Sequence, residues 1–168
     1  MRRLLLCLFL SLLVAGCGYS FRHNRSNLPE DIKTISIPMF SNMTNEIRLE
    51  AIVTEQMRYQ FTQSRILKMV PEAEADVVLI GSIIGVYADD VSLTEWMHSS
   101  QRRVSITISA RLLRAGSGEV LYQGSVQQQR SYSLEGANAS ATEARTEALK
   151  VAARDAAQTI HDGVLQNF

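Results

Sequence analysis

The chain is 168 residues long, and its 17 Lys and Arg residues balance 17 Asp and Glu. That length holds one domain of ordinary size, which buries about 70% of its unfolded surface and needs no staple. Balanced charge supplies no basic field for nucleic acid, and the two cysteines, Cys7 and Cys17, supply no disulfide framework.

The start of the chain predicts a cleaved signal over residues 1–16. Arg2 and Arg3 precede an apolar run from Leu4 to Val14 interrupted by Ser11, and the small residues Ala15 and Gly16 stand before Cys17. This is the charged start, apolar middle and small-residue cleavage site of a secretory signal. The run is too short to cross a bilayer, which takes about 20 apolar residues. Leu13-Val14-Ala15-Gly16-Cys17 resembles a bacterial lipobox, in which the cysteine is lipidated and becomes the new N-terminus. Cys17 is therefore the expected lipidation site, and its covalent lipid is the only cofactor-like group expected. Lipoproteins retained in the inner membrane have Asp after that cysteine; Gly18 points instead to the outer membrane. Several acyl chains, each methylene adding about 0.8 kcal/mol, would make the anchor permanent. Cleavage leaves 152 residues and, with Arg2 and Arg3 gone, 15 basic residues against 17 acidic ones. Residues 17–31, without periodicity and ending at Leu28-Pro29, read as a lipidated tether, and 32–168 as a single α+β domain.

Within that domain the first element runs from Lys33 to Met39, where Ile35, Ile37 and Met39 alternate with polar residues and Pro38 marks a strand end or an edge. Ser41 to Asn45 is rich in turn formers. Leu49, Ile52, Val53, Met57 and Phe61 then recur at helical spacing through Glu46 to Gln63, with Glu46 and Glu50 near the positive end of the helix. A short apolar piece, Ile66 to Val70, allows a further strand. Asp76 to Tyr87 is a nearly continuous β-branched run, as expected of a central strand. Ala88 to Arg103 lacks a clean period and reads as a loop or strand extension. Val104, Ile106, Ile108, Ala110 and Leu112 alternate strictly with Ser105, Thr107, Ser109 and Arg111, giving the clearest strand. Gly116-Ser117-Gly118 turns it into a partner, Val120 to Tyr132, whose Gln127, Gln128 and Gln129 imply a solvated far half. Ser140 and Glu143, at capping-box spacing, open a last helix with a stripe of Leu149, Ala152, Ala153, Ala156, Ile160 and Val164. The order β-α-β-β-β-α predicts two helices on one face of a mixed sheet of about four strands.

No catalytic constellation emerges, and no enzyme is expected. His23, His98 and His161 have neither metal-ligand spacing nor a cysteine to help them. Gly81-Ser82-Ile83-Ile84-Gly85 lacks nucleophile-elbow spacing and lies inside a strand, where its glycines mark a bulge or close packing. Gly116-Ser117-Gly118 joins strand to strand, so no helix N-terminus is present to hold a phosphate. Asp89 and Asp90, adjacent on a strand, point to opposite faces, with no third metal ligand nearby.

Several segments together carry a family resemblance: the lipobox followed by Gly18-Tyr19-Ser20-Phe21, then Leu28-Pro29, then Ile35-Ser36-Ile37-Pro38-Met39-Phe40-Ser41-Asn42-Met43-Thr44, then Ala75 to Gly81. In that order they resemble the LptE family of lipopolysaccharide-assembly lipoproteins. The likeness runs over nearly the whole chain, including Val104 to Leu112, Arg130-Ser131-Tyr132 and the alanine-rich last helix. It implies a small α/β protein on the periplasmic side of the outer membrane, seated as plug and folding partner inside the β-barrel LptD and touching lipopolysaccharide on its way to the cell surface. The Ile-Pro-x-Phe-x-Asn-x-Thr segment and the Ala-Asp strand also resemble lipoproteins related to the curli secretion lipoprotein, which implies instead a self-oligomerising secretion lipoprotein. Trp96, Arg102 and Arg103, with Met97, are the candidate contacts to a glycolipid or barrel wall, since an aromatic face suits apolar parts and guanidinium forks suit phosphates. A solvated loop with one packed Trp is the bland alternative. Arg114 and Arg130, near the hairpin ends, are the next basic candidates. In better-known members basic loop residues contact lipopolysaccharide, whereas Met97 and Thr142 stand near where these would fall.

Overall fold

A computed structural model describes residues 28–90, 101–133 and 140–166. Two short strands, β1 (Thr34–Ser36) and β2 (Ser41–Asn42), precede helix α1 (Leu49–Ser64), and a third, β3 (Lys68–Met69), follows it. After a 3-10 turn at Glu72–Glu74 come three strands of 14 residues each, β4 (Val77–Asp90), β5 (Gln101–Arg114) and β6 (Val120–Ser133), and then helix α2 (Ala141–Gln166). The sheet runs β3-β1-β4-β5-β6, with β2 continuing alongside β4 beyond β1. Pairs on the β1 side are parallel, and β4-β5-β6 is an antiparallel meander. The α+β class agrees with the sequence, but the sheet has six strands among the described residues, where about four were expected. The surplus is β2, read from sequence as a loop, and β3, a two-residue strand at Ile66 to Val70 too short to show a period.

Pro38 explains the largest departure. The alternation Ile35, Ile37, Met39 predicts one strand, yet β1 ends at Ser36, and Met39 is 64% exposed. Proline has no N–H for the ladder, so the chain steps out and re-enters as β2. Pairing with β4 is offset by one residue across this gap: Ser36 meets Val78, whereas Ser41 meets Ser82. Helix α1 satisfies the backbone freed by the step. Arg58 donates from Nε and Nη2 to the Ile37 carbonyl at 2.9 and 2.7 Å, and the Phe40 N–H donates to the buried Thr54 hydroxyl at 3.0 Å. Because β1 lies between β3 and β4, Pro38 marks a strand end and not an edge.

Helix α1 buries Leu49, Val53, Met57 and Phe61, the stripe its spacing predicts, but starts three residues later than Glu46. Arg48 takes a left-handed φ of 68° just before it. Glu46 is thereby left outside the helix and forms a two-armed ion pair with Arg145 of α2, one arm at 2.7 Å. The Arg145 guanidinium holds the Glu46 carboxyl below its usual range. Helix α2 opens on the expected capping box: the Ser140 N–H donates to Glu143 Oε2 at 2.8 Å, and the Glu143 N–H to Ser140 Oγ at 3.3 Å. Its alanines Ala152, Ala153, Ala156 and Ala157 are fully buried, so the helix backbone lies close over β5 and β6, with α1 beside it.

Val104, Ile106, Ile108, Ala110 and Leu112 of β5 are buried under these helices, together with Val77, Leu79 and Ile83 of β4. Each fully buried aliphatic side chain of this size stabilises the fold by about 1.5–3 kcal/mol, which makes this face the main source of stability. The glycines of β4 do what the sequence predicts. A side chain at Gly81 would collide with the Phe40 ring, and Gly85 follows the β-bulge after Ile83. His161 is a core residue. Its ring meets Phe61 edge-on at 4.8 Å, Nδ1 lies 3.0 Å from Asp162, and Nε2 is buried with no hydrogen-bond partner.

At one end of the sheet Asp76 ties β1 to β4. Its carboxylate accepts from the Lys33 N–H at 2.9 Å, the Thr34 N–H at 2.8 Å and the Thr34 hydroxyl at 2.8 Å, and its own N–H donates to that hydroxyl at 2.9 Å. The Lys33 N–H, followed by the donors of Thr34, pulls the Asp76 carboxyl below its usual range. This clamp is the structural content of the Ala-Asp motif.

Candidate functional site on the uncovered sheet face

Strict alternation along β5 sends every second residue away from the helices, and no described element packs on that side. The register assembles six rows there across β4, β5 and β6: Val78-Leu113-Val120, Ile80-Arg111-Gln123, Ser82-Ser109-Ser125, Gly85-Thr107-Gln127, Tyr87-Ser105-Gln129 and Asp89-Arg103-Ser131. The middle rows carry hydroxyls and amides with Tyr87 among them, an apolar row closes one end, and a guanidinium lies near each end. Arg103 and Arg111, eight residues apart on one face, stand about 27 Å from each other at strand rise.

Around Arg111 the face is concave. Ser41, Ser82, Ser109 and Gln123 line a groove of about 560 Å³, and Met39, Met43, Ile80 and Ile84 form its apolar wall. Ser41 reaches across from β2 to donate to Ser82 Oγ at 2.6 Å, so the strand re-entry after Pro38 also shapes this groove. Met39, Met43 and Ile84 are 64, 71 and 47% exposed, and Ile84 is the bulge residue.

The basic residues singled out from the sequence do not form one cluster. Arg102 and Arg103 lie at one end of β5 and point to opposite sides: Arg103 sits between Asp89 and Ser131 on the uncovered face, and Arg102 between Asp90 and Tyr132 on the helix side. Arg114 is at the other end of β5, ion-paired with Asp31 and, at 3.2 Å, with Glu119. Arg130 faces α2, where it pairs with Asp155 beside the Gln128 to Thr159 hydrogen bond of 3.2 Å. Cys17, Trp96, Met97, His23 and His98 lie outside the described residues. Among the described residues no three His, Cys, Asp or Glu side chains are grouped to hold a metal, and no helix is long and apolar enough to cross a membrane. Sequence reading missed Arg111, Met39, Met43 and Ile84 as a group. The signal was present in the β5 alternation, which sets Arg111 apart from the core residues around it, but the neighbours come from β2 and β4, joined only by the fold.

The family model for lipopolysaccharide assembly, LptE, matches residues 32–163. This chain belongs to the LptE family. No curated protein sequence matches it. Among solved structures, the uncharacterized lipoprotein B from Nitrosomonas europaea has the same fold at 22% identity and a TM-score of 0.56, with 88% of this chain and 90% of that one covered. A minor lipoprotein from Acinetobacter baumannii is similar at 11% identity and a TM-score of 0.55, covering 81% and 94%. PelC from Paraburkholderia phytofirmans, solved as a dodecamer, is similar at 11% identity and a TM-score of 0.52, covering 79% and 88%. An LptE chain is a component of lipopolysaccharide assembly in the cell envelope.

Proposed function

We propose that this LptE chain is lipidated at Cys17, held on the periplasmic side of the outer membrane, and seated as plug and folding partner inside an LptD-like β-barrel, where it contacts lipopolysaccharide in transit. It acts as a binding and assembly factor, with no catalysis and no cofactor beyond its covalent lipid. The observation that supports the plug reading is the open face of Ser, Thr and Gln rows along β4, β5 and β6. The lumen of a membrane barrel is polar, unlike its lipid-facing wall, and the hydroxyls and amides of these rows suit a surface of that kind. Affinity purification of the full-length chain from outer membranes in mild detergent tests the reading. A fixed-ratio complex with one large β-barrel is expected. Rings of this chain alone would instead support a self-oligomerising secretion lipoprotein, a reading favoured by the likeness to dodecameric PelC.

A further inference from the structure

We propose that the groove around Arg111 holds the lipid end of a lipopolysaccharide molecule, with a phosphate on the Arg111 guanidinium and an acyl chain against Met39, Met43, Ile80 and Ile84. The identity of the lipid rests on the plug reading; the groove and its chemistry do not.

The charge comes first. Arg114, Arg130 and Arg145 are each ion-paired, and Arg58 is bonded to the Ile37 carbonyl. Arg111 has neither an ion pair nor a hydrogen bond among the described residues, and it stands beside the Ser109 and Gln123 side chains, which supply further polar groups at the same floor. A guanidinium in this position suits a phosphate, which it binds with two parallel N–H donors. The wall supplies the second half of the ligand. Met39, Met43 and Ile84 line one groove at 64, 71 and 47% exposure, and two of them are methionines, whose unbranched thioether chains fit irregular apolar partners. A bare anion leaves that wall unused, and a neutral chain leaves Arg111 unused; a phosphate joined to an acyl chain uses both. The volume, about 560 Å³, lies within the range of ligand pockets of roughly 300–1,000 Å³. Its floor is rigid, since Ser82, Ser109 and Arg111 sit on paired inner strands and Ser41 is fixed to Ser82.

The test is photocrosslinking of the full-length chain in Gram-negative cells. A photoreactive phenylalanine replaces either Ile84, in the groove, or Tyr59, exposed on the outer side of α1, and adducts are probed for lipopolysaccharide. The expected result is an adduct at position 84 and none at 59. Arg111→Glu should reduce it by roughly tenfold or more, the loss of a charge-assisted pair, while Arg111→Lys retains most of it. Ser109→Glu, which puts a carboxylate on the groove floor one row away, gives the same loss if Arg111→Glu fails to accumulate. A phospholipid or barrel adduct at position 84, equal adducts at both positions, or an adduct indifferent to both charge reversals would overturn the proposal. Co-purification of the barrel from the same cells separates the two readings: barrel without adduct removes the groove, and adduct without barrel removes the plug.

Discussion

The two faces of the β4-β5-β6 meander are built from the same residues of sequence, one position apart, and carry opposite chemistry. Under the helices lie Val104, Ile106, Ile108, Ala110 and Leu112; on the other side lie Arg103, Ser105, Thr107, Ser109 and Arg111. Stability resides on the first face, which removes apolar area from water, and the proposed recognition uses the second. Substitutions should therefore divide sharply by face, and a one-residue change in register would exchange the two roles entirely.

The largest effect is expected beneath the helices. Val53 of α1 is fully buried, and Val53→Asp would place a carboxylate there without a partner. A loss of about 3–5 kcal/mol follows, enough to unfold many domains of total stability near 5–15 kcal/mol. A thermal melt checks it, and an unchanged midpoint would mean that this face of α1 does not meet the sheet. Gly81→Val is the next test. Its side chain would collide with Phe40, itself held by the strand step after Pro38, and about 1–3 kcal/mol of overpacking is expected in denaturant titration.

Asp76→Asn weakens the clamp between β1 and β4 by about 1 kcal/mol, a small figure because water screens a partly exposed carboxylate. Its signature is in pH. The folded-state carboxyl titrates below the ordinary value of 3.8, so its stabilisation is full above that value and is lost as pH falls through the lower folded one. Melts of the native chain and Asp76→Asn should differ at pH 7 and converge as the pH is taken down through the lowered folded-state value, below 3.8. The smallest effect, with opposite sign, belongs to His161→Leu. It removes a buried nitrogen that has no partner and keeps an apolar contact to Phe61, so the midpoint should stay level or rise by the equivalent of about 1 kcal/mol.

Much of this division could be read along the chain. The β5 alternation, the α1 stripe and the Ser140–Glu143 capping box depend on neighbours a few residues apart, and all three stand as their spacing implies. What could not be read depends on distant partners. Strand β2 exists because Thr54 and Arg58, on a helix still to come, satisfy the backbone on either side of Pro38. The fates of Arg114 and Arg130 were hidden likewise, since Asp31 lies 83 residues from the first and Asp155 lies 25 residues from the second. Adjacent basic residues drew attention to Arg102 and Arg103, yet period-two geometry separates them, and the groove formed around Arg111, which has no basic neighbour in sequence.

The central claim, that the polar face is the surface seated in a barrel, is tested most directly by placing lysines there. Thr107→Lys with Gln127→Lys puts two like charges side by side in a middle row, far from the helix-covered core. The full-length double variant should melt within about 0.5 kcal/mol of the native chain, as surface changes usually do, while the β-barrel recovered with it from outer membranes falls at least several-fold. Undiminished recovery of the barrel by a well-folded double variant would contradict the claim.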